Sequence, residues 1–291
     1  MLNGLSVDVE EAFHASAFES ECPPESWAAR PQRAAENTRK LLAIFAQQGV
    51  KATFFTLGWV AERQPALIRE IVAQGHELAC HGYAHRRIYT QSPEVFRQDV
   101  SRAKQVLEDL SGASVRGYRA PTYSITHASL WALDVLVELG FQYDSSIFPV
   151  RHDRYGIPEA PRFPHRLLTP SGATLVEIPP TSFRLGKIQL PVLGGGYLRL
   201  FPLAMHTSAL RYINAHEHQP TFVYVHPWEV DEAQPVLSSR KLSWWRHTVN
   251  IPQVPERLTR LLESASFAPF CEVLQHVPTL NTYGPHKNRQ R

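Results

Sequence analysis

The chain has 291 residues, of which 43% are hydrophobic, so it is long enough to bury one large core. Its net charge of +3 is a small excess of 30 basic over 27 acidic residues without a dense basic run, which argues against a nucleic-acid partner. The sequence contains no run of about 18 apolar residues, so we predict no membrane span. The first residues lack the pattern of a signal peptide, and the three cysteines have no regular spacing, so we expect a cytoplasmic protein.

The first half of the chain alternates between apolar strands and amphipathic helices. We predict strands over residues 2–9, 51–57, 77–80, 115–118 and 141–144, and helices over 34–48, 65–74, 93–110 and 128–139. Gly49, Gly75 and Gly140 each lie between a helix and the strand that follows it. This repeated unit predicts parallel strands with helices packed outside them.

The second half of the chain is less regular. Residues 150–200 are rich in proline and glycine, which predicts irregular structure with one or two strands, such as Thr174 to Ile178. Regular patterns then predict helices over 202–215 and 254–264, a strand over 221–225 and a final extended piece over 270–274. We expect residues 1–280 to form a single domain with a distinct C-terminal part from about residue 230. Residues 281–291 are predicted to be a disordered tail.

Acidic residues end the first strand, and a histidine pair follows a later one. Asp8 and Glu10 alternate along the strand and therefore share a face, and Glu11 follows directly. His81 and His85 are four residues apart, so their rings can face the same way. Imidazole is a common zinc ligand, but solvent-exposed acids and half-exposed histidines also fit this pattern.

Five short motifs together resemble those of the polysaccharide deacetylases with a NodB-homology domain, carbohydrate esterase family four. In chain order they are Asp8-Val9-Glu10-Glu11, His81-Gly82-Tyr83-Ala84-His85, Arg119-Ala120-Pro121, Asp144-Ser145-Ser146 and Val225-His226-Pro227. The resemblance spans about residues 4 to 230. The last 60 or so residues, together with the segments 119–124 and 194–197, resemble the branch associated with exopolysaccharide and exosortase loci. The family fold is a distorted (β/α) barrel, here with about seven parallel strands and irregular insertions.

The resemblance also implies a divalent metal site and a catalytic base. Glu10, His81 and His85 would hold the ion, for which zinc is the expected identity. Asp8 would be the general base for the attacking water, and Arg119 would pair with Asp8.

The remaining roles implied by the resemblance concern the oxyanion, the leaving group and the substrate. The backbone N–H of Thr122 would stabilise the oxyanion, and His226, oriented by Asp144, would protonate the leaving amine. His14, Tyr123 and Trp228 are candidate substrate-binding residues, although simple packing explains each of them as well.

Two departures from the family pattern leave alternatives open. Valine separates Asp8 from Glu10, and a glutamate stands where many members have a second aspartate, so Glu11 could be the acidic ligand instead. We favour Glu10 because it shares the face of Asp8. The aromatic residue that commonly follows the arginine motif is displaced by one position, to Tyr123.

These observations favour a hydrolase of linear amides that removes N-acetyl groups from N-acetylhexosamine units of a bacterial polysaccharide or its precursor. One alternative is an allantoinase-like or imidase-like hydrolase of small cyclic amides on the same barrel. Another is a catalytically silent saccharide-binding protein. The expected partner is a carbohydrate substrate, and a homo-oligomer is compatible with the sequence.

Overall fold

Short strands and helices alternate along the chain in the computed structural model, which describes residues 1–186, 188–238, 240–277 and 279–284. The strands are β1 (Leu2–Val9), β2 (Thr53–Thr56), β3 (Glu77–Cys80), β4 (Gly117–Tyr118), β5 (Tyr143–Asp144), β6 (His165–Leu168), β7 (Thr174–Glu177), β8 (Ser182–Leu185), β9 (Ile188–Pro191), β10 (Phe222–Val225), β11 (Ser266–Ala268) and β12 (Thr282–Tyr283). The α-helices are α1 (Ala34–Gln47), α2 (Gly58–Arg63), α3 (Pro65–Ala73), α4 (Pro93–Ser111), α5 (Ala132–Glu138), α6 (Gly195–Leu200), α7 (Leu203–Tyr212), α8 (Lys241–Thr248), α9 (Val254–Glu263) and α10 (Phe270–Gln275). None of the helices in these ranges is both long and apolar enough to span a lipid bilayer.

The central sheet is mostly parallel, as predicted. Seven neighbouring strands, in the order β10-β1-β2-β3-β4-β5-β7, pair in parallel. Strand β6 adds an antiparallel edge to β7, β12 pairs with β6, and β11 pairs with the start of β1. The carboxyl ends of the parallel strands therefore lie at one edge of the sheet, where side chains from distant parts of the sequence can meet.

A side chain, not a strand ladder, spans the opening between β7 and β10 in the described residues. The Thr181 hydroxyl accepts a hydrogen bond from the Phe222 N–H (2.7 Å) and donates one to the Phe222 carbonyl (3.1 Å). Gly194 makes an isolated parallel bridge to Tyr224, and a Cβ at Gly194 would lie 2.1 Å from the Tyr224 ring. Only glycine therefore permits this close approach.

Side chains along β1 point alternately to the apolar core and to the candidate site. Leu5, Val7 and Val9 are fully buried in the apolar cluster that includes side chains of α1 and α9. Ser6 and Asp8 occupy the intervening positions and point to the opposite face of the strand. Asp8 is 2% exposed, so its carboxylate is buried and needs partners within the protein.

Two predictions about the C-terminal region need correction. Residues 270–275 form the helix α10, not an extended piece; the strand lies earlier, at Ser266–Ala268, and Pro269 precedes the helix. A short apolar run is equally compatible with a buried strand and a buried helix, which explains the error. The predicted disordered tail began at residue 281, but Thr282 and Tyr283 pair with β6. Residues 285–291 lie outside the described residues.

Two buried carboxyl groups face each other where β5 pairs with β7. Asp144 and Glu177 are register partners, and both are fully buried. Burial raises the pKa of both groups, and the charge of Asp144 raises the pKa of Glu177 further. Asp144 accepts a hydrogen bond from the Ser146 hydroxyl (2.5 Å). Because adjacent buried carboxylates cannot both be ionised at low cost, we expect Glu177 to remain protonated and to donate to Asp144.

The Glu177→Gln variant tests this assignment, because an amide can donate to Asp144 but does not titrate. The raised pKa of Glu177 stabilises the native protein fully below its unfolded pKa, and this stabilisation is lost as the pH rises towards its folded pKa. As the pH rises from 5 to 9, the free energy of unfolding of the variant should therefore increase relative to that of the wild type, by up to about 1.4 kcal/mol per pH unit. Urea unfolding across this range measures the difference. The exposed Glu256→Gln change is the control, and a difference independent of pH would contradict the assignment.

Candidate active site

Side chains from the ends of β1, β3 and β10 line one cavity of about 550 Å³. Asp8 and Glu10 come from β1 and the residue after it, His81 follows β3, and His226 follows β10. These segments are far apart in sequence but adjacent in the sheet, since β1 pairs with β10 and lies one strand away from β3. The parallel topology thus explains why the predicted residues meet.

Glu10, His81 and His85 offer three donor atoms that all lie within 4.8 Å of one another. Glu10 Oε2 is 2.8 Å from His85 Nε2 and 3.7 Å from His81 Nε2. His81 Nδ1 lies 2.8 Å from the Arg119 carbonyl, to which it donates, so Nε2 keeps its lone pair towards Glu10. Burial alone would raise the pKa of Glu10, but the charge and hydrogen bond of His85 hold it well below its usual value.

The choice between Glu10 and Glu11 has a clear geometric basis. The Glu11 carboxylate turns away and accepts hydrogen bonds from the backbone N–H groups of Ala34 and Arg33, each at 2.9 Å. These groups lie at the start of α1, where backbone donors lack partners within the helix and a carboxylate is stabilising. Glu10 alone joins His81 and His85, in agreement with the preference drawn from the sequence.

The predicted pair of Asp8 and Arg119 is present and buried. Arg119 Nη1 donates to Asp8 Oδ1 at 2.5 Å and to the Ser6 hydroxyl at 3.0 Å. Nη2 donates to the Ser145 hydroxyl at 3.0 Å, and the guanidinium lies 4.0 Å from the centroid of the Phe55 ring. The second Asp8 oxygen, Oδ2, lies 3.8 Å from His226 Nε2. Arg119 therefore holds one oxygen of Asp8 and leaves the other beside His226.

Glu229, not Asp144, orients His226. Nδ1 of His226 lies 3.1 Å from Glu229 Oε2, and Glu229 Oε1 accepts a hydrogen bond from Arg199 Nε at 2.8 Å. Burial lowers the pKa of His226, but the hydrogen bond and charge of Glu229, together with Glu10 and Asp8, raise it to about 9. The predicted role of Asp144 is wrong, since its carboxylate bonds to Ser146 and Glu177 instead.

The spacing of Glu229 was a usable signal that sequence reasoning missed. Glu229 lies three residues after His226 and also accepts a hydrogen bond from the His226 backbone N–H at 3.0 Å. A carboxylate that reaches back three residues is the arrangement of a capping box at a helix start. Here the same carboxylate also fixes the imidazole.

Thr122 and Tyr123 occupy a strained turn after Pro121. Both are in the left-handed region, with φ of +58° and +52°, which non-glycine residues seldom adopt. Thr122 lines the cavity, as an oxyanion donor must, and that role stays a prediction. The Tyr123 ring packs against Phe148 and Tyr224, at centroid distances of 5.5 and 5.2 Å, and is 7% exposed.

The other two candidate substrate-binding residues, His14 and Trp228, contact His85 and Glu10. His14 stacks on His85, with centroids 5.8 Å apart and planes at 19°, and it is not among the residues that line the cavity. Trp228 lines the cavity but is only 7% exposed, and both His226 and His247 stack on its ring. Its indole N–H donates to Glu10 Oε1 at 3.1 Å. This bond accounts for Trp228 better than stacking on a sugar does.

The accessible aromatic surface lies at the rim of the cavity. Trp245, on α8, is 54% exposed and lines the cavity together with Tyr197 and Tyr155. Its neighbour Trp244 instead packs against Phe18, at a centroid distance of 6.0 Å. The sequence shows the tryptophan pair but not which of the two faces the cavity, because that depends on how α8 packs.

Comparison with known families agrees with this geometry. A polysaccharide deacetylase family model matches residues 27–143, which include His81, His85 and Arg119. Residues 27–143 of this chain thus form a segment of the polysaccharide deacetylase family. A second model, described as a domain of unknown function (DUF3473) and found in the exopolysaccharide-associated branch, matches residues 145–275. This second match starts well before residue 230, and it contains both Glu229 and Arg199.

Curated relatives match about a third of this chain. It is 32% identical over 100 residues to a peptidoglycan-N-acetylglucosamine deacetylase of Bacillus cereus, a match that covers 34% of this chain and 36% of the relative. It is 39% identical over 100 residues to a chitooligosaccharide deacetylase of Sinorhizobium fredii, covering 34% of this chain and 44% of the relative. The matches thus span less than half the length of each relative.

Solved structures match almost the whole chain and show the same fold. A Mycobacterium smegmatis protein assigned to the polysaccharide deacetylases aligns with a TM-score of 0.62 and 22% identity, over 97% of this chain and 93% of that one. A Pseudomonas aeruginosa protein with the same assignment aligns with a TM-score of 0.60 and 16% identity, over 94% and 90%.

The Glu229→Gln variant tests the control of His226. Loss of the carboxylate charge should lower the pKa of the His226 imidazole by about 1–3 units, because an adjacent opposite charge favours the protonated form. An NMR titration of the imidazole resonances, assigned with a His226→Gln protein, measures this pKa directly. The exposed Glu256→Gln change should leave it unaltered. An unshifted His226 pKa in Glu229→Gln would contradict the assignment.

Proposed function

We propose that this deacetylase-family protein is a metal-dependent hydrolase that removes N-acetyl groups from N-acetylhexosamine units of a bacterial polysaccharide or its precursor, releasing acetate. One observation carries the proposal: Asp8, paired with Arg119, and His226, paired with Glu229, flank the donor set of Glu10, His81 and His85. A site built for binding alone has no need of a buried proton acceptor beside a half-buried proton donor. The exopolysaccharide setting follows from the branch resemblance, and a cytoplasmic location stays a prediction.

The residues present fit a divalent metal ion. Two imidazoles and one carboxylate are a common three-ligand set for catalytic zinc, with ligand distances of about 2.0–2.2 Å. Donor atoms 2.8 and 3.7 Å apart can share one such ion. The Arg119 carbonyl holds His81 in the ligating tautomer, and the Trp228 indole N–H fixes the second oxygen of Glu10. When bound, the ion would make water more acidic and polarise the acetamide carbonyl.

The protein's own groups account for both proton transfers. Asp8 Oδ2 lines the cavity and would accept the proton of the attacking water, while Arg119 keeps the carboxylate oriented. His226, with its pKa raised to about 9, is protonated at neutral pH and would give its proton to the leaving nitrogen. The amide C–N bond breaks, one water is consumed, and acetate and a free amine leave. The Thr122 N–H is the candidate donor to the oxyanion.

The cavity supports a saccharide substrate. Its volume of about 550 Å³ is in the range of small-molecule sites. Trp245 and Tyr197 provide apolar ring faces at its rim, on which a sugar ring can stack. The relatives named as chitooligosaccharide and peptidoglycan-N-acetylglucosamine deacetylases act on N-acetylated sugars by their names, which favours the same substrate class here.

Metal content and acetate release together test the mechanism. The purified protein should bind about one zinc ion, and chelation should abolish acetate release from N-acetylglucosamine oligomers until zinc is restored. His81→Ala should lose both metal and activity. Asp8→Asn should keep the metal but lose about 10²- to 10⁴-fold in kcat, because it removes only the general base.

The matched control for the metal test is His127→Ala, which removes a partly exposed histidine that pairs with Glu159. It should keep both metal and activity. Full activity in the chelated wild type would overturn the proposal, and so would an Asp8→Asn protein as active as the wild type.

Trp245→Ala tests the stacking surface. Loss of an exposed indole face should raise KM for the oligomer about threefold to tenfold and leave kcat nearly unchanged, because the residue contacts substrate away from the reacting bond. Leu242→Ala, which removes an exposed apolar side chain from the same helix, is the control. An unchanged KM in Trp245→Ala would exclude this surface.

A further inference from the structure

A second cavity of about 400 Å³ opens beside the candidate active site. The two cavities share Ala15 and Ser16 on one wall and Trp228 and Arg246 on the other. A saccharide seated over Asp8 and His226 could therefore continue into the second cavity without leaving the protein surface. We refer to this second cavity as the arginine groove.

The lining of the arginine groove is strongly basic. Arg154, Arg240 and Arg246 line it and are exposed, and among the described residues Asp153 supplies the one carboxylate on its wall. A further arginine on this wall, Arg199, is buried and committed to Glu229. Within the described residues, the groove thus presents three exposed guanidinium groups against one carboxylate.

These guanidinium groups are available to a ligand. Arg154 Nη1 donates to the Ser16 hydroxyl at 3.2 Å, which aims it at the wall shared by the two cavities. Arg240 has only a long contact, 3.7 Å, from Nε to Glu21. In the described ranges, no carboxylate pairs with Arg154 or Arg246, although many other surface arginines have such partners, for example Arg39 with Glu70. Guanidinium groups bind carboxylate and phosphate oxygens in bidentate fashion.

We infer that the arginine groove binds an anionic group, a carboxylate or a phosphate, carried by the same substrate molecule whose N-acetyl group lies in the active site. This inference rests on the proposed function for the position of the sugar. A neutral homopolymer would leave the guanidinium groups of the groove without partners. The natural substrate is thus an acidic saccharide or a sugar joined to phosphate.

The test compares three probes on the zinc-loaded, full-length protein. The neutral probe is an N-acetylglucosamine oligomer, the carboxylate probe is a hyaluronan oligosaccharide of equal length, and the phosphate probe is UDP-N-acetylglucosamine. At low salt, kcat/KM for acetate release should be about fivefold to tenfold higher for at least one anionic probe than for the neutral one. This preference should fall as the salt concentration rises, because exposed charges are screened.

Substitution links the preference to the groove. In the Arg154→Gln, Arg246→Gln double variant, the ratio of kcat/KM between the anionic and the neutral probe should fall to about one. Arg211→Gln and Arg260→Gln, which change arginines that do not line either cavity, should keep the wild-type ratio. An equal loss on all probes would show that the arginines serve structure, and it would overturn the inference.

Equilibrium binding separates this inference from the proposed function. The Asp8→Asn protein should bind the preferred anionic probe more tightly than the neutral oligomer in calorimetry, and the double substitution should remove the difference. Preference for hyaluronan identifies a carboxylate site, and preference for the nucleotide sugar identifies a phosphate site. Equal affinity for all three probes would overturn the arginine groove while leaving deacetylation intact. Anion preference without acetate release from any probe would sustain the groove and refute the proposed reaction.

Discussion

One buried guanidinium ties the site together. Arg119 bonds to Asp8 and Ser6 on β1 and to Ser145 after β5, and its own carbonyl accepts from His81 Nδ1. A buried charge is costly unless it is paired and hydrogen-bonded, so Arg119 and Asp8 require each other. The same residue therefore sets the orientation of Asp8, the proposed general base, and the tautomer of His81, a proposed metal ligand. Changes at Arg119 would disturb both at once, which makes their separate contributions hard to isolate by altering that residue.

His226, the proposed proton donor, is held by a second set of charged residues from the later part of the sequence. His226 pairs with Glu229, and Glu229 accepts a hydrogen bond from Arg199. Arg199 also donates to the backbone carbonyls of Arg246 and His247 near the end of α8. Cations are stabilising near the carboxyl end of a helix, where carbonyls lack intrahelical partners. The segment matched by the domain of unknown function thus contributes Glu229 and Arg199, which surround His226, while the deacetylase-matched segment contributes His81, His85 and Arg119.

The sequence was informative where residues follow strands. Asp8, Glu10, His81, Arg119 and His226 all lie at or just after strand ends, and parallel pairing brings such positions to one edge. It was less informative about partners within the site. Nothing in the spacing shows that Asp144 lies opposite Glu177, because that contact depends on which strands become neighbours. Trp228 was a candidate for contact with a sugar, because an aromatic ring close to His226 in sequence fits both sugar stacking and simple packing until the structure is known. Glu229, by contrast, could have been found from its position three residues after His226.

The single hydroxyl of Thr181 has a consequence for how this architecture can diversify. In the described residues, this hydroxyl and the isolated Gly194–Tyr224 bridge connect the two sides of the opening between β7 and β10, so the opening can widen while the ladder from β10 through β1 to β7 stays intact. The paired strands thus position the residues of the candidate site, whereas the segment between residues 178 and 222 sets the width of the cleft.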